Sequence, residues 1–198
     1  PPGVTIHSSR SGGYDVETIP DSAEMRRFVR QSVDKNCKDL MDARVDVIAY
    51  GCTSATLSDG PEFDSAFCRR LMDLTGRPAV TTAGALVEAI QHIGASKVAF
   101  TSPYVKALSA ESVKYLKDSN IDVVTEVVFD RELNSLEQNA LTPQNAYEMA
   151  LKADHPDAQA IVVSCTDYRA LEAIPAIEAF LKKPVITSNQ ALMFVCLK

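Results

Sequence analysis

The sequence has few histidines, no long apolar segment and no excess of positive charge. Its three histidines are isolated and its five cysteines form no C-x-x-C pair, so we expect no metal site. No apolar run approaches the roughly 20 residues that cross a bilayer, so we expect no membrane partner. The net charge of −6 comes without a basic stripe, which argues against a nucleic-acid partner.

Motifs for cofactors and for export are also missing. Neither G-x-G-x-x-G nor G-x-x-x-x-G-K-(S/T) occurs, and we therefore expect no nucleotide and no cofactor of any kind. No Lys/Arg-led apolar leader is present, and free thiols are the default in a cytoplasmic protein, the location that we predict. The chain opens on "PPGVTIHSSR" without a methionine. This early strand-like run leads us to expect that a preceding strand is missing.

Apolar runs of strand length alternate with helical patterns along the 198 residues. The predicted strands are 4–9, 45–50, 78–82, 97–102, 121–129, 158–164 and 183–188. The predicted helices are 21–43, 61–74, 83–93, 105–118, 143–152 and 168–181. Several strands are apolar at successive positions, as in strands covered on both faces. The alternation predicts an α/β fold with parallel, doubly wound sheets flanked by helices, whereas 130–141 has the weakest pattern.

A repeat divides the chain in two. "VDVIAYGCTS", a helix and "GRPAVTTAGALVEAI" are matched by "AQAIVVSCTDY", a helix and "KKPVITSNQALMF". Two copies of one supersecondary unit predict two similar lobes related by a pseudo-twofold axis. We assign residues 1–80 and 183–198 to lobe one and residues 81–182 to lobe two. Because open α/β sheets bind ligands at the carboxyl ends of their strands, Cys52 and Cys165 should face each other across the cleft.

The matched Cys-Thr contexts favour chemistry over packing. A single cysteine at a strand end is usually a structural thiol, and we interpret Cys37, Cys68 and Cys196 in this way. Cys52 and Cys165 each precede a probable helix start, whose N–H groups would lower the thiol pKa. Two facing thiols permit either two-base proton transfer at a carbon, or addition to a double bond with bond rotation and elimination.

Hydroxyl groups beside the thiols could stabilise the enolate-like charge that both routes create. Thr53, Ser54 and Thr166 adjoin the cysteines in sequence, and Tyr104 follows the strand 97–102. For Tyr104, a surface tyrosine capping a helix is the alternative. The pairs that open helices at 81–82 and 187–188 are interpreted mainly as N-caps, with contact to a substrate carboxylate as the alternative.

"YGCTSAT", "SCTDYRALEAI", "KPVITSNQA" and "TSPYVKAL" together resemble the aspartate/glutamate racemase superfamily over nearly the whole chain. The similarity is to the branch with maleate cis–trans isomerase, arylmalonate decarboxylase and the ectoine-utilisation isomerase-like proteins. It implies a cofactor-independent homodimer or larger homo-oligomer with Cys52 as the nucleophile and Cys165 as the acid/base partner. It also implies that Thr53, Ser54, Tyr104 and Thr166 hold the substrate carboxylate.

The ectoine-utilisation type fits these motifs best, and the motifs depart from other members of the superfamily. The decarboxylase has glycine at the position of Cys52, so the presence of both thiols favours isomerisation or racemisation. Amino-acid racemases commonly carry Cys-Asn-Thr at the first site, where this chain has Cys52-Thr53-Ser54. Typical maleate isomerases have more apolar residues after each cysteine. The family's Pro-Ser-x-Asn-like substrate loop is not found in this sequence.

The leading hypothesis is a cis–trans isomerase of a small unsaturated dicarboxylate such as maleate. Three alternatives stay open: a racemase of an acidic amino acid, a decarboxylase of a disubstituted malonate, and a carboxylate-binding sensor without turnover. All four require a small mono- or dicarboxylate as ligand.

Overall fold

A computed structural model describes residues 2–11 and 22–198 as an α/β fold with two parallel sheets. In this part of the chain the helices are α1 Ser22–Asp42, α2 Thr53–Leu57, α3 Gly60–Thr75, α4 Thr82–His92, α5 Lys106–Asp118, α6 Ser135–Asn139, α7 Pro143–Ala153, α8 Ile174–Leu181 and α9 Ser188–Cys196. The strands are β1 Ile48–Tyr50, β2 Ala79–Thr81, β3 Lys97–Ser102, β4 Asp122–Val128, β5 Ala160–Val163 and β6 Val185–Thr187. A short 3₁₀ helix, Leu171–Ala173, precedes α8.

The strands form one small sheet and one larger sheet. β1 pairs with β2 in the first, and the second has the order β4-β3-β5-β6, with every pair parallel. Parallel neighbours need a crossover connection, and helices follow each strand of the larger sheet to supply it. The predicted α/β architecture of two lobes with parallel sheets is confirmed.

The larger sheet is buried on both faces. Residues 98–102 of β3 and all four residues of β5 are buried at successive positions. A strand with one solvated face would alternate between buried and exposed residues, so this pattern requires helices on both sides. A separate apolar cluster around Val33, Phe67 and Leu71 packs against Ile48 of β1. Each sheet therefore has its own core.

Two sequence-based expectations differ from the structure. The strand predicted at 4–9 is wrong, because residues 4–11 form no regular secondary structure. Their side chains instead contact α1, where Ser9 donates to Asn36 Oδ1 at 3.1 Å and Asn36 Nδ2 donates to Ser11 Oγ at 3.2 Å. The weakly patterned segment 130–141 contains α6, which begins at a capping box rather than at an apolar stripe.

The predicted assignment of 183–198 to lobe one stays a prediction. β6 hydrogen-bonds to β5 in the larger sheet, whereas α9, which follows β6 directly, packs on α4 and reaches β1 and β2. This segment thus contacts both sheets. None of the helices within residues 22–198 combines the length and the apolar character that crossing a membrane requires.

Asp64 of α3 is a buried carboxyl group that contacts two other helices. Its Oδ2 accepts a hydrogen bond of 3.0 Å from the Tyr115 hydroxyl of α5. Burial raises the pKa of Asp64, and hydrogen bonds from Thr81 and Tyr115 oppose this rise. Gly84 of α4 packs so closely that a Cβ there would lie 3.0 Å from Asp64 Oδ2. The carboxyl group therefore ties α3 to α4 and α5.

We expect Tyr115→Phe to lower the free energy of unfolding by about 1–3 kcal/mol near neutral pH, because it removes a donor from a buried carboxyl group. Since the folded-state pKa of Asp64 is raised, its contribution to stability is complete below the ordinary value of 3.8 and declines as the pH rises through the folded-state pKa. Losing the donor raises that pKa further. Urea unfolding should therefore show a larger deficit at about pH 8 than at about pH 4.5.

Tyr147→Phe is the control, because this ring packs on Phe180 and lies away from Asp64. It should change stability by less than about 0.5 kcal/mol at either pH. A deficit for Tyr115→Phe that is equal at both pH values would contradict a role through Asp64.

Candidate active site

Cys52 lies at the point where β1 ends. The strand stops at Tyr50, Gly51 follows, and Cys52 is the N-cap residue of α2 with an extended backbone, φ −140°. Its side chain makes no capping hydrogen bond, and the half-buried Sγ lies 3.5 Å from Ser54 Oγ. The N-cap position thus presents the thiol beyond the sheet edge rather than engaging it in the helix.

Cys165 occupies the equivalent place after β5. The strand stops at Val163, Ser164 follows, and Cys165 is buried with 8% of its surface exposed. Its φ of 128° is rare for a residue with a side chain. A turn follows instead of an α-helix, and the 3₁₀ helix begins only at Leu171. The helix start expected directly after this cysteine is therefore wrong.

Burial dominates the protonation of Cys165. It raises the pKa of this thiol to about 12, although a backbone hydrogen bond from Asp167 lowers it. The nearby charges of Asp167 and Cys52 raise it further. The lowered pKa expected from helix N–H groups is thus wrong for Cys165, because one N–H group cannot offset desolvation of the thiolate. This thiol is therefore protonated at neutral pH.

Hydroxyl groups join the two cysteine segments. Thr166 Oγ1 donates to the carbonyl of Gly51 at 3.2 Å, so the residue after Cys165 contacts the residue before Cys52. In the other direction, Thr53 Oγ1 donates to Ser188 Oγ at 3.0 Å, and Ser188 Oγ also accepts the backbone N–H of Cys165 at 3.0 Å. The two strand ends therefore meet at one place.

Tyr104, two residues after the end of β3, lies at the same place. Its side chain is buried, and its hydroxyl lies 3.3 Å from Ser164 Oγ. Burial raises the pKa of Tyr104 well above its ordinary value, with the charges of Cys165 and Cys52 acting in the same direction. The phenol is therefore protonated and near both thiols. The alternative of a surface tyrosine is wrong.

The six candidate residues meet, and two serines join them. Ser164 contacts Tyr104 and Ser188 contacts Thr53 and Cys165. Sequence reasoning missed Ser164, whose signal is a small residue between the strand and Cys165, and treated Ser188 mainly as part of a cap. Thr81 and Thr187 are the N-caps, as expected. The remaining cysteines lie in the helices α1, α3 and α9.

The surroundings of the thiols are polar without being strongly charged. Burial raises the pKa of Asp167, and the positive charge of Arg10 lowers it, which places the N-terminal segment beside the second cysteine. No group of three or more His, Cys, Asp or Glu side chains within residues 2–11 and 22–198 is arranged to hold a metal ion. The polar groups next to the thiols are hydroxyls and backbone amides, which suit a small carboxylate.

Two surface hollows lie elsewhere. One of about 480 Å³ lies between α7 and α8, where Tyr147 and Phe180 line it. Another of about 550 Å³ lies between the start of α3 and α5, lined by Glu62, Glu111 and Lys114 among others. Neither includes a cysteine. The paired cysteines therefore mark the candidate site, and neither surface cavity does.

Similarity to known proteins places the chain in a family. The family model for arylmalonate decarboxylase matches residues 16–198. The maleate isomerase of Geobacillus stearothermophilus is 31% identical over 98% of this chain and 77% of its own length. The crystal structure of the maleate isomerase Iso from Pseudomonas putida S16 has a TM-score of 0.89 and 32% identity, covering 98% of this chain and 78% of that one.

A variant of the same Pseudomonas enzyme was solved with maleate. It has a TM-score of 0.84 and 31% identity, and it covers 89% of this chain and 72% of its own. A family-model match of this extent, together with relatives near 30% identity over nearly all of this chain, defines the family. The chain belongs to the arylmalonate decarboxylase family, whose relatives include maleate isomerases.

Proposed function

We propose that this protein is a cofactor-independent isomerase that converts maleate to fumarate with Cys52 and Cys165. One observation carries the proposal. Two cysteines from separate repeats meet through hydroxyl contacts, where the family's decarboxylase would need only one thiol. The maleate isomerases among its relatives support the choice of substrate.

The proposed reaction is a reversible thiol addition. The Cys52 thiolate forms an S–C bond with one alkene carbon. The π electrons move toward the other alkene carbon and its carboxylate, which together form an enolate. Cys165 delivers its S–H proton to the other former alkene carbon and becomes a thiolate. Rotation about the resulting single bond brings the carboxylates to opposite sides. The Cys165 thiolate then removes a proton from the carbon that was protonated. The C–S bond breaks, fumarate forms and the Cys52 thiolate is restored.

The surrounding groups suit these roles. The buried Cys165 thiol, with a pKa of about 12, is protonated at neutral pH and is much more acidic than the carbon that it must protonate. We assign Thr53, Ser54, Thr166 and Tyr104 to the substrate carboxylates. Their hydroxyls lie near the thiols before substrate binds, which suits donors that stabilise enolate charge. Thr53 and Thr166 donate to Ser188 and to the Gly51 carbonyl in the free protein, and these two hydroxyls turn to the carboxylate when substrate binds.

Decarboxylation of a malonate is the second candidate. The family description favours it, and so does the protonated state of Cys165, because a decarboxylase needs a proton donor for the carbanion. Decarboxylation by this route assigns no catalytic role to Cys52. Racemisation of aspartate or glutamate would use both thiols as bases, and the buried Cys165 is poorly suited to begin as a thiolate.

Proton NMR in deuterated water tests these functions together. We expect the purified protein to replace the vinyl signal of maleate with that of fumarate. The α-proton signals of D- and L-aspartate and of D- and L-glutamate should persist, and phenylmalonate should stay intact. The enzyme with both cysteines alkylated by iodoacetamide is the control. Loss of an amino-acid α-proton signal, or release of phenylacetate, would assign the racemase or the decarboxylase instead.

Cytoplasmic location and assembly into a homodimer or larger homo-oligomer stay predictions. The five free cysteines are consistent with a reducing compartment. Phe180 and Leu171, which are 65% and 53% exposed, give an apolar surface that a second copy could cover.

A further inference from the structure

Ser188 lies at the junction of the two cysteine segments. It is the first residue of α9, directly after β6, and its side chain is completely buried. Its Oγ accepts one hydrogen bond from the Thr53 hydroxyl and one from the backbone N–H of Cys165, each 3.0 Å long. Thr53 is 135 residues distant in sequence. One oxygen atom thus joins the residue after the first cysteine to the second cysteine.

The hydroxyl of Ser188 is not needed to begin its helix. Thr187 is the N-cap, with Oγ1 accepting from the N–H of Gln190, and Gln190 completes the capping box. The two hydrogen bonds that Ser188 Oγ accepts, from Thr53 and from Cys165, go instead to the site. In the first repeat, the residue after the N-cap is Thr82, and its hydroxyl donates to the carbonyl of Tyr50 at 2.8 Å. Tyr50 lies two residues before Cys52. In both repeats, therefore, the hydroxyl after the N-cap forms a hydrogen bond near a cysteine.

The backbone of Cys165 needs such support. A φ of 128° places this non-glycine residue in a sparsely populated region, and a strained residue keeps its conformation only where its surroundings hold it. Ser188 binds the N–H group of Cys165, and this nitrogen is one end of the N–Cα bond about which φ is measured. Without this acceptor the N–H would be buried and unpaired. The backbone could then relax and move Sγ away from the substrate carbon.

We propose that Ser188 is a positioning residue that holds the Cys165 backbone in its strained conformation and aligns it with the Cys52–Thr53 segment. Its effect on turnover rests on the proposed function. Its effect on the Cys165 thiol does not, because the contacts exist without substrate. The two effects can therefore be measured separately.

The first measurement is steady-state kinetics with maleate. In Ser188→Ala we expect kcat to fall about 10- to 100-fold, since a misplacement near 1 Å can cost that much, while KM changes less than about 3-fold. Ser188→Thr keeps the hydroxyl and should stay within about 5-fold of the parent kcat. Equal losses in the alanine and threonine variants would overturn the proposal, because the hydroxyl would then not be the cause.

The second measurement needs no substrate. In the Cys52→Ala protein, the rate of Cys165 alkylation by iodoacetamide is followed by peptide mass spectrometry, with Cys37 in the same sample as an internal reference. Adding Ser188→Ala should raise the Cys165 rate about 10-fold and leave Cys37 unchanged, because the released backbone admits reagent to a buried thiol. An unchanged Cys165 rate would overturn the proposal even if kcat falls.

Ser112→Ala is the matched control. Ser112 is also completely buried, and its hydroxyl donates to the carbonyl of Leu108 within α5, away from the cysteines. It should leave both kcat and Cys165 alkylation unchanged. An effect as large as that of Ser188→Ala would attribute the result to the loss of any buried hydroxyl and would overturn the proposal. If the parent enzyme leaves maleate unchanged, the proposed function fails, and the alkylation result still decides the role of Ser188.

Discussion

Replacing either Cys52 or Cys165 with serine is expected to lower kcat for maleate isomerisation about 10³-fold or more, because the two thiols act as one unit. The double variant should be little worse than either single variant, since the second replacement removes a group that already has no reaction to assist. Coupled assays of fumarate formation measure all three. A double variant that loses activity in proportion to the product of the single losses would contradict a shared reaction path.

The two variants should differ in what they accumulate. In Cys165→Ser the Cys52 nucleophile is intact and water can protonate the enolate slowly in place of Cys165, but the thiolate base for elimination is missing, so an adduct with the added mass of one maleate should build up on Cys52. In Cys52→Ser no adduct should form. Intact-protein mass spectrometry distinguishes these outcomes. Cys196→Ser, a change in the half-buried thiol at the end of α9, is the control and should retain activity within about 2-fold. Full isomerase activity in Cys52→Ser would contradict the addition mechanism, because Cys52 would then not be the nucleophile.

Tyr104→Phe is expected to lower kcat/KM about 100-fold, which corresponds to about 2.7 kcal/mol of transition-state stabilisation. The phenol is buried beside both cysteines, and its raised pKa keeps it protonated, so it can donate to the charge that develops on the substrate carboxylate. Phenylalanine keeps the ring and removes only this donor. The loss should appear mainly in kcat, because the charge is greatest in the enolate-like transition state.

Tyr115→Phe is the matched control, since it also removes a buried phenol hydroxyl but one that binds Asp64 instead of the site. It should lower stability without lowering kcat at a temperature where it stays folded. A rise in KM with unchanged kcat for Tyr104→Phe would mean that the phenol binds substrate and transition state equally. A change below about 3-fold would remove Tyr104 from the mechanism.

The architecture follows largely from local patterns. Six of the seven predicted strands correspond to β1–β6, because buried parallel strands are apolar at successive positions. Thr142 followed by Pro143 predicts the start of α7, and the structure has Thr142 as its N-cap. The strand expected at 4–9 fails for a physical reason. A strand requires a backbone partner, and residues 9 and 11 bind α1 through their side chains instead.

The candidate site was only partly predictable from the sequence. The repeated Cys-Thr context indicated which thiols to pair. Thr53, Ser54, Tyr104 and Thr166 were proposed as their neighbours from their positions in the sequence, and a family resemblance suggested the same residues. The protonation of Cys165 was not predictable in this way. A helix start was expected after it, but the chain turns at φ 128° and burial raises the thiol pKa. Desolvation depends on everything packed around a group, and no local pattern contains that information.

Local sequence patterns were sufficient to predict the alternation of strands and helices, the internal repeat and the two cysteines that follow equivalent strands. How those cysteines are held became visible only in the folded chain. Ser188 looks like one more hydroxyl in a helix cap, yet it accepts hydrogen bonds from Thr53 and from the backbone of Cys165. Short-range periodicity records which face of an element is buried. Hydrogen bonds between distant segments form only when packing brings their atoms within about 3 Å, and they leave no trace in that periodicity.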